Sequence, residues 1–172
     1  AAKTATQAER VDYPAWVEDV ASEDTLYLIN EEAENTPMPG WVPRHDYREN
    51  PWKSLNGDQK LYSGPLDSGR VYKDSLYAQA ETNIEYRLPG GYTHFVAAAG
   101  LGSKNKKTSV VFRVLVDGEE KFRSGVVELG TPVQPVVVDI TGAETMKLVT
   151  EDAGDGIYHD YAWWGEARLI RK

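Results

Sequence analysis

From Thr82 to Leu88 apolar and polar residues alternate, with Ile84, Tyr86 and Leu88 on one side and Asn83, Glu85 and Arg87 on the other. A period of two belongs to a strand with one buried face and argues against a helix. Leu88-Pro89-Gly90-Gly91 then supplies a turn, after which Phe95, Ala97, Ala99 and Leu101 resume the alternation. The small alanines between larger residues predict a tightly covered strand. Ser109–Val116 puts Val110, Phe112, Val114 and Val116 on one face, and Asp117-Gly118 follows. That dipeptide is a strong hairpin signal, because a two-residue turn needs positive φ. Glu119–Val127 is the expected returning strand.

Pro132 and Pro135 interrupt the chain before Val136, Val138 and Ile140, and Thr141-Gly142 closes that strand. Met146 and Leu148 open another, Glu151–Gly156 reads as an acidic loop, and Ala167 and Leu169 form the inward face of a last strand. Short strands at regular spacing, with turns between them and no amphipathic helix of any length, predict an all-β antiparallel β-sandwich, a jelly roll. Ala1–Asp24 has no sustained period, although Trp16, Val17 and Val20 could share one helical turn. Residues 1–24 are therefore expected to be a leader or linker that docks only locally, and 25–172 the β-sandwich domain.

The charge narrows the partners. The chain has 172 residues and a formal charge of −8, with the acidity concentrated in residues 1–60. A phosphate backbone is a poor partner for such a surface. The basic cluster Lys104, Lys106 and Lys107 lies among Gly102, Ser103 and Asn105 and reads as a loop tip, so no nucleic acid is expected. No apolar run approaches the roughly 20 residues of a spanning helix, so no membrane partner is expected either. With no cysteine there is no disulfide, thiol nucleophile or thiolate metal site.

Candidate chemistry is sparse. No nucleophile elbow, zinc-protease, phosphate-loop or dinucleotide motif occurs, and the spacing of His45, His94 and His159 fits no zinc motif. The carboxylate runs Glu119-Glu120 and Glu31-Glu32-x-Glu34 look like solvated turns rather than a hydrolase pair, which needs two carboxyls about 5 to 9 Å apart across a cleft. An enzyme is accordingly not expected. Asp152, Asp155 and Asp160, with Gly154 and Gly156, offer hard oxygen ligands for a structural calcium ion or form a plain acidic loop. Trp41 and Trp52 lie near prolines and glycines, and Tyr158, Trp163 and Trp164 come after the acidic loop. Aromatic faces stack on sugar rings, so these residues make a physically reasonable carbohydrate platform. Trp164 is read as core, because Ala167 and Leu169 continue from it into a strand.

The segments Ile84–Tyr92, Phe95–Gly100, Val110–Gly118 and Asp160–Leu169, in that order and spacing, resemble the NPCBM family of carbohydrate-binding modules over about Thr25–Ile170. The resemblance implies a β-sandwich jelly roll from a larger exported protein, secreted or periplasmic, with a glycan as ligand and other domains of a parent glycoside hydrolase as neighbours. Galactose-containing glycans are among the ligands it implies. Three positions depart from the family pattern: Gln79 stands where a histidine is usual, Trp163 where an aspartate is, and Gly102 where an aspartate is frequent. The expected sugar site is Trp41, Gln79, Glu81, Tyr158 and Trp163. Gln79 and Glu81, two residues apart, would share a strand face and bond sugar hydroxyls while the rings stack. Trp163 either presents its ring to a sugar or packs inside, in which case the polar site is lost. The alternative function is a structural or protein-interaction β-sandwich that no longer binds sugar.

Overall fold

The computed structural model describes residues 11–35, 37, 55–62, 69–102, 108–154 and 161–172. Eleven strands are present among them: β1 (Thr25–Tyr27), β2 (Gly57–Tyr62), β3 (Gly69–Tyr77), β4 (Thr82–Arg87), β5 (His94–Leu101), β6 (Ser109–Val116), β7 (Glu119–Arg123), β8 (Val127–Glu128), β9 (Gln134–Asp139), β10 (Thr145–Asp152) and β11 (Ala162–Ile170). They form two antiparallel sheets, one in the order β1-β11-β3-β2-β5-β9 and one in the order β4-β10-β6-β7, with β8 also on β6. The expected all-β antiparallel sandwich is what the chain forms.

The alternations read from the sequence supply the layer between the sheets. Ile84, Tyr86, Phe112, Val114 and Leu148 from one sheet meet Phe95, Ala97, Ala99, Trp164, Ala167 and Leu169 from the other, all buried. Trp164 sits at the centre, fully buried, with its ring edge-on to Phe112 at 5.1 Å and to Phe95 at 6.1 Å. Each such pair contributes about 0.5–1.5 kcal/mol beyond burial. Its indole Nε1 has no hydrogen-bond partner among the described residues, which offsets part of that gain. Asp117 and Gly118 take φ of 50° and 82°, the positive values the hairpin turn demands.

Two boundaries differ from expectation. The strand returning from that turn ends at Arg123, and Val127–Glu128 pairs separately with β6. Strand β10 runs on to Asp152, because Glu151 and Asp152 stay in register with Val111 and Val110 of β6.

Sheet edges are protected by identifiable devices. At β4 the Asn35 side chain stands in for a neighbouring strand: its Nδ2 donates to the Asn83 carbonyl at 2.9 Å and its Oδ1 accepts from the Glu85 amide at 2.9 Å. At the opposite edge β7 is short and charged, with Arg113 joining Glu120 and Glu151 at 2.5 Å each across β7, β6 and β10. Edge strand β9 carries Pro135, which is tolerated there because an edge strand has amides that need no partner.

Strand β11 pairs with β5 along one side and with both β1 and β3 along the other. Since β3 continues into β2, and β2 touches β5 at Tyr62–Leu101, the strands β11, β3, β2 and β5 close a ring. The β2–β3 hairpin thus lies over the outer face of β5 and β11. Glycines make room for it. A Cβ at Gly165 would stand 3.0 Å from the Ala98 carbonyl oxygen, 3.0 Å from Tyr72 Cβ and 3.1 Å from Leu61 Cδ1, and one at Gly100 would stand 3.0 Å from Val133 Cγ2. Just beyond Gly165, Glu166 and Ala167 lie opposite the single residue Ala97, a bulge that returns Ala167 and Leu169 to the inner face.

The other end of the same outer face is covered by the segment before β1. A helical turn at Ala15–Glu18 sets the buried Val17 on Val96 and Ile170, with Trp16 and Val20 alongside. The Trp16 ring lies 4.8 Å from His94 and beneath the Lys172 ammonium at 4.6 Å. Of the three residues read as sharing one helical turn, Trp16 and Val17 lie in it, and Val20 lies just beyond its end against the same cluster.

Two consequences are testable. Gly165→Ala forces a methyl against backbone and a packed hairpin, and should cost about 1–3 kcal/mol in urea unfolding, as overpacked cores do. Asp117 Oδ1 accepts from the amides of Glu144 and Thr145, which holds its carboxyl below the ordinary value of 3.8. A depressed carboxyl stabilises the fold above its unfolded pKa and loses that contribution as pH falls through the folded one. Unfolding midpoints of Asp117→Asn should therefore depend less on pH between 5 and 3 than those of the parent protein.

Candidate functional site

At one end of the sandwich the β3–β4 connection, the end of β5 and the start of β11 converge. Backbone bonds fix the junction: the Ala78 amide donates to the Ala162 carbonyl at 2.9 Å, and the Gly102 amide to that of Tyr161 at 3.0 Å. Asn56 joins from the start of β2, its Oδ1 accepting from the Tyr77 amide at 2.9 Å. Thr82 Oγ1 donates to the Gln79 carbonyl, which tightens the turn between β3 and β4.

Strand pairing sets Tyr77 opposite Trp163, and their rings meet at 4.8 Å with a tilt of 57°. Burial, with the Tyr161 phenol nearby, pushes the Tyr77 phenol above its ordinary pKa, so it remains a neutral donor through physiological pH. On its other side the Trp163 indole occupies the space above Gly102: a Cβ there would stand 2.5 Å from Trp163 Nε1.

The expected site residues separate accordingly. Gln79 and Trp163 are brought to this end, but Gln79 is 2% and Trp163 9% exposed. The Trp163 ring lies between Tyr77 and the space above Gly102 and is nearly covered, as in the packed one of the two readings. Glu81 is exposed in the connection between β3 and β4, so it and the buried Gln79 do not share a strand face as expected. Trp41 and Tyr158 lie outside the described residues, as do Trp52, Asp155 and Asp160. Asp152 is described, and its Oδ1 accepts from the Gly154 amide at 3.0 Å, a turn-forming contact. Among the described residues no group of three His, Asp or Glu is placed to hold a metal ion.

Asn56, Tyr77 and Tyr161 were not singled out in the sequence. They reach the site through pairings between distant segments, and the one local signal was an aromatic ending the apolar run of β3. The remaining carboxylates of interest are committed elsewhere: Glu119 to Lys121, Glu120 to Arg113 and Arg123, and Glu34 to Arg87. Among the described residues no helix is long and apolar enough to cross a membrane.

The model of the NPCBM/NEW2 domain matches residues 40–170. A protein of Renibacterium salmoninarum named "Putative endo-alpha-N-acetylgalactosaminidase" is 30% identical over 138 residues; the match covers 78% of this chain, which spans 9% of that protein's length. Among solved structures, the CBM51 module of Clostridium perfringens GH95, in complex with methyl-galactose, is 27% identical with a TM-score of 0.68, covering 85% of this chain and 99% of that one. The CBM51-2 and INT domains of Clostridium perfringens ZmpB, the former in complex with GlcNAc, are 25% identical with a TM-score of 0.72, covering 86% of this chain and 31% of that one.

The contact between Trp163 and Gly102 predicts a coupled pair. Trp163→Ala removes a buried ring and should cost about 3 kcal/mol or more in denaturant unfolding. Gly102→Ala should destabilise the parent protein but be nearly neutral beside Trp163→Ala, where the indole no longer fills that space. A double-mutant cycle by urea denaturation measures the difference.

Proposed function

Given that this chain belongs to the NPCBM/NEW2 domain family, we propose that it is a non-catalytic carbohydrate-binding module of a larger exported protein. Its sugar site is the end where Gln79, Glu81, Tyr77, Tyr161 and Trp163 converge. One observation carries the reading: long-range strand pairing sets Tyr77 against Trp163 at one end of the sandwich, with Tyr161 nearby, and the adjoining β3–β4 connection holds Gln79 and an exposed Glu81. Such a mixture suits a sugar, whose ring offers an apolar face and whose hydroxyls both donate and accept. Trp41 and Tyr158 complete the site in this proposal. The complexes of similar modules with methyl-galactose and GlcNAc support a neutral hexose as ligand. Catalytic domains alongside the module are the expected partners, and Asp152, Asp155 and Asp160 are proposed to hold a structural calcium ion.

A second reading has its own support. Gln79 and Trp163 are both nearly covered, as expected of a sandwich whose polar sugar contacts have been lost and which serves other domains as an interaction surface. A glycan array, read with and without EDTA, separates the two. The module reading expects hexose-terminated glycans to be retained, with Gln79→Ala weakening binding about fivefold, the loss of roughly 1 kcal/mol for one hydrogen bond. Retention that EDTA removes supports calcium. No binding to any glycan favours the interaction sandwich, and hydrolysis of aryl glycosides that Glu81→Gln abolishes would overturn the non-catalytic assignment.

A further inference from the structure

The two covers on the outer face of β5 and β11 meet where the Tyr72 hydroxyl reaches the Val11 backbone, and leave an opening beside that contact. Between the β2–β3 hairpin and the segment before β1 lies a cleft of about 330 Å³, whose walls include Tyr13, Tyr27, Arg70, Asp74, Glu166 and Arg168. It shares no residue with the site at the β3–β4 end. Asp74 and Glu166, with φ of 54° and 53°, are two of the three non-glycine residues with positive φ among those described, and both line this cleft. Left-handed backbone costs an ordinary residue about 1–2 kcal/mol. It persists where the surroundings fix a side chain in place. At Glu166 the bulge supplies that constraint, and bulges commonly re-aim side chains beside binding sites.

The Glu166 carboxylate has donors around it and none close. Tyr13 Oη is 3.4 Å from Oε2, Arg168 Nη1 3.8 Å from Oε2, and Arg70 Nη2 3.9 Å from Oε1. Charge-assisted hydrogen bonds run to about 2.7–2.9 Å. The guanidiniums are held by other contacts: Arg168 donates to the Glu166 carbonyl at 2.9 Å and stacks on Tyr13, and Arg70 stacks on Tyr72. At these separations the contacts are direct but long, and they leave the carboxylate and both guanidiniums with hydrogen-bonding capacity toward the cleft. The cleft pairs Arg70, Lys73 and Arg168 with Glu18, Asp74 and Glu166. Balanced charge selects neither an anion nor a cation. A hydroxyl fits both halves, since it donates to a carboxylate and accepts from a guanidinium.

We propose that this cleft is a second carbohydrate site, which takes one neutral hexose unit through adjacent hydroxyls bridging Glu166 to Arg70 and Arg168. The inference rests on the reading of the chain as a carbohydrate-binding module, but not on the other site's residues. Amide NMR titration of the whole chain with methyl-galactose, and separately with GlcNAc, tests it. The expected result is saturable shifts at Tyr27, Lys73 and Asp74, with an isotherm distinct from that of Tyr77 and Gly102. Glu166→Gln should weaken the cleft isotherm tenfold or more and leave the other unchanged. Glu166→Gly, which removes the carboxylate while suiting positive φ, should do the same without loss of thermal stability. Shifts confined to the β3–β4 end overturn the second site and leave the module reading standing. Shifts at neither place overturn both, and cleft shifts that survive both substitutions overturn the assignment to Glu166.

Discussion

The β2–β3 hairpin lies across the sheet because Gly100 and Gly165 present no side chain beneath it. A side chain at 165 would hold the hairpin off, and Leu61 and Tyr72 would lose their place against the sheet, while one at 100 would press on Val133. With the glycines there, the ring of β11, β3, β2 and β5 closes, and β11 is fixed by hydrogen bonds on both sides. A strand held in this way can carry a bulge and a left-handed residue without fraying. It can also present Trp164 inward and Trp163 outward at one end, then Glu166 and Arg168 farther along. Core, candidate sugar site and outer cleft all take their positions from β11.

Legibility in the sequence tracked burial on one face. Where one side of a strand meets the core and the other meets solvent, as in β4 and β6, the alternation is visible, and the inward residues are those observed. The Asp117-Gly118 turn was visible for a related reason, since few other dipeptides accept two positive φ values. Where both faces are covered, the alternation marks the inner face but not what covers the outer one. Strand β5 is buried nearly throughout, because the hairpin and the segment before β1 cover its outer side. The hairpin itself, Gly57–Tyr62 and Gly69–Tyr77, carries no clean period, because its residues face the ring at one end and solvent at the other. A bulge is harder still, for it shifts the phase of the inward residues from Trp164 to Ala167 without altering composition. Asn35, which substitutes for a strand through its side chain, has no periodic signal at all.

The candidate site shows the same division. Gln79, Glu81 and Trp163 were found through resemblance over continuous motifs, whereas Asn56, Tyr77 and Tyr161 come together only through pairing between distant segments. Resemblance also could not reveal how far Trp163 is exposed. That depends on which ring lies opposite it in β3 and on the size of the residue just past the end of β5, and both contacts are set by register rather than by local sequence.

Register also explains how Trp163 and Gly102 fit one another. Trp163 and Gly102 are 61 positions apart in the chain, yet the indole fills the volume that any side chain at 102 would enter. An aspartate at 102 cannot coexist with this ring position, and a glycine at 102 without the ring would leave a void beside Tyr77. Ring and glycine therefore belong together as one packed aromatic contact. That contact covers the Trp163 ring and leaves Glu81 exposed in the adjoining connection. In the proposed module, a sugar held by few fixed polar groups would be bound weakly, so affinity for a glycan would gain from a second contact. The charged cleft on the outer face, built on the same strand, is where such a contact can be made.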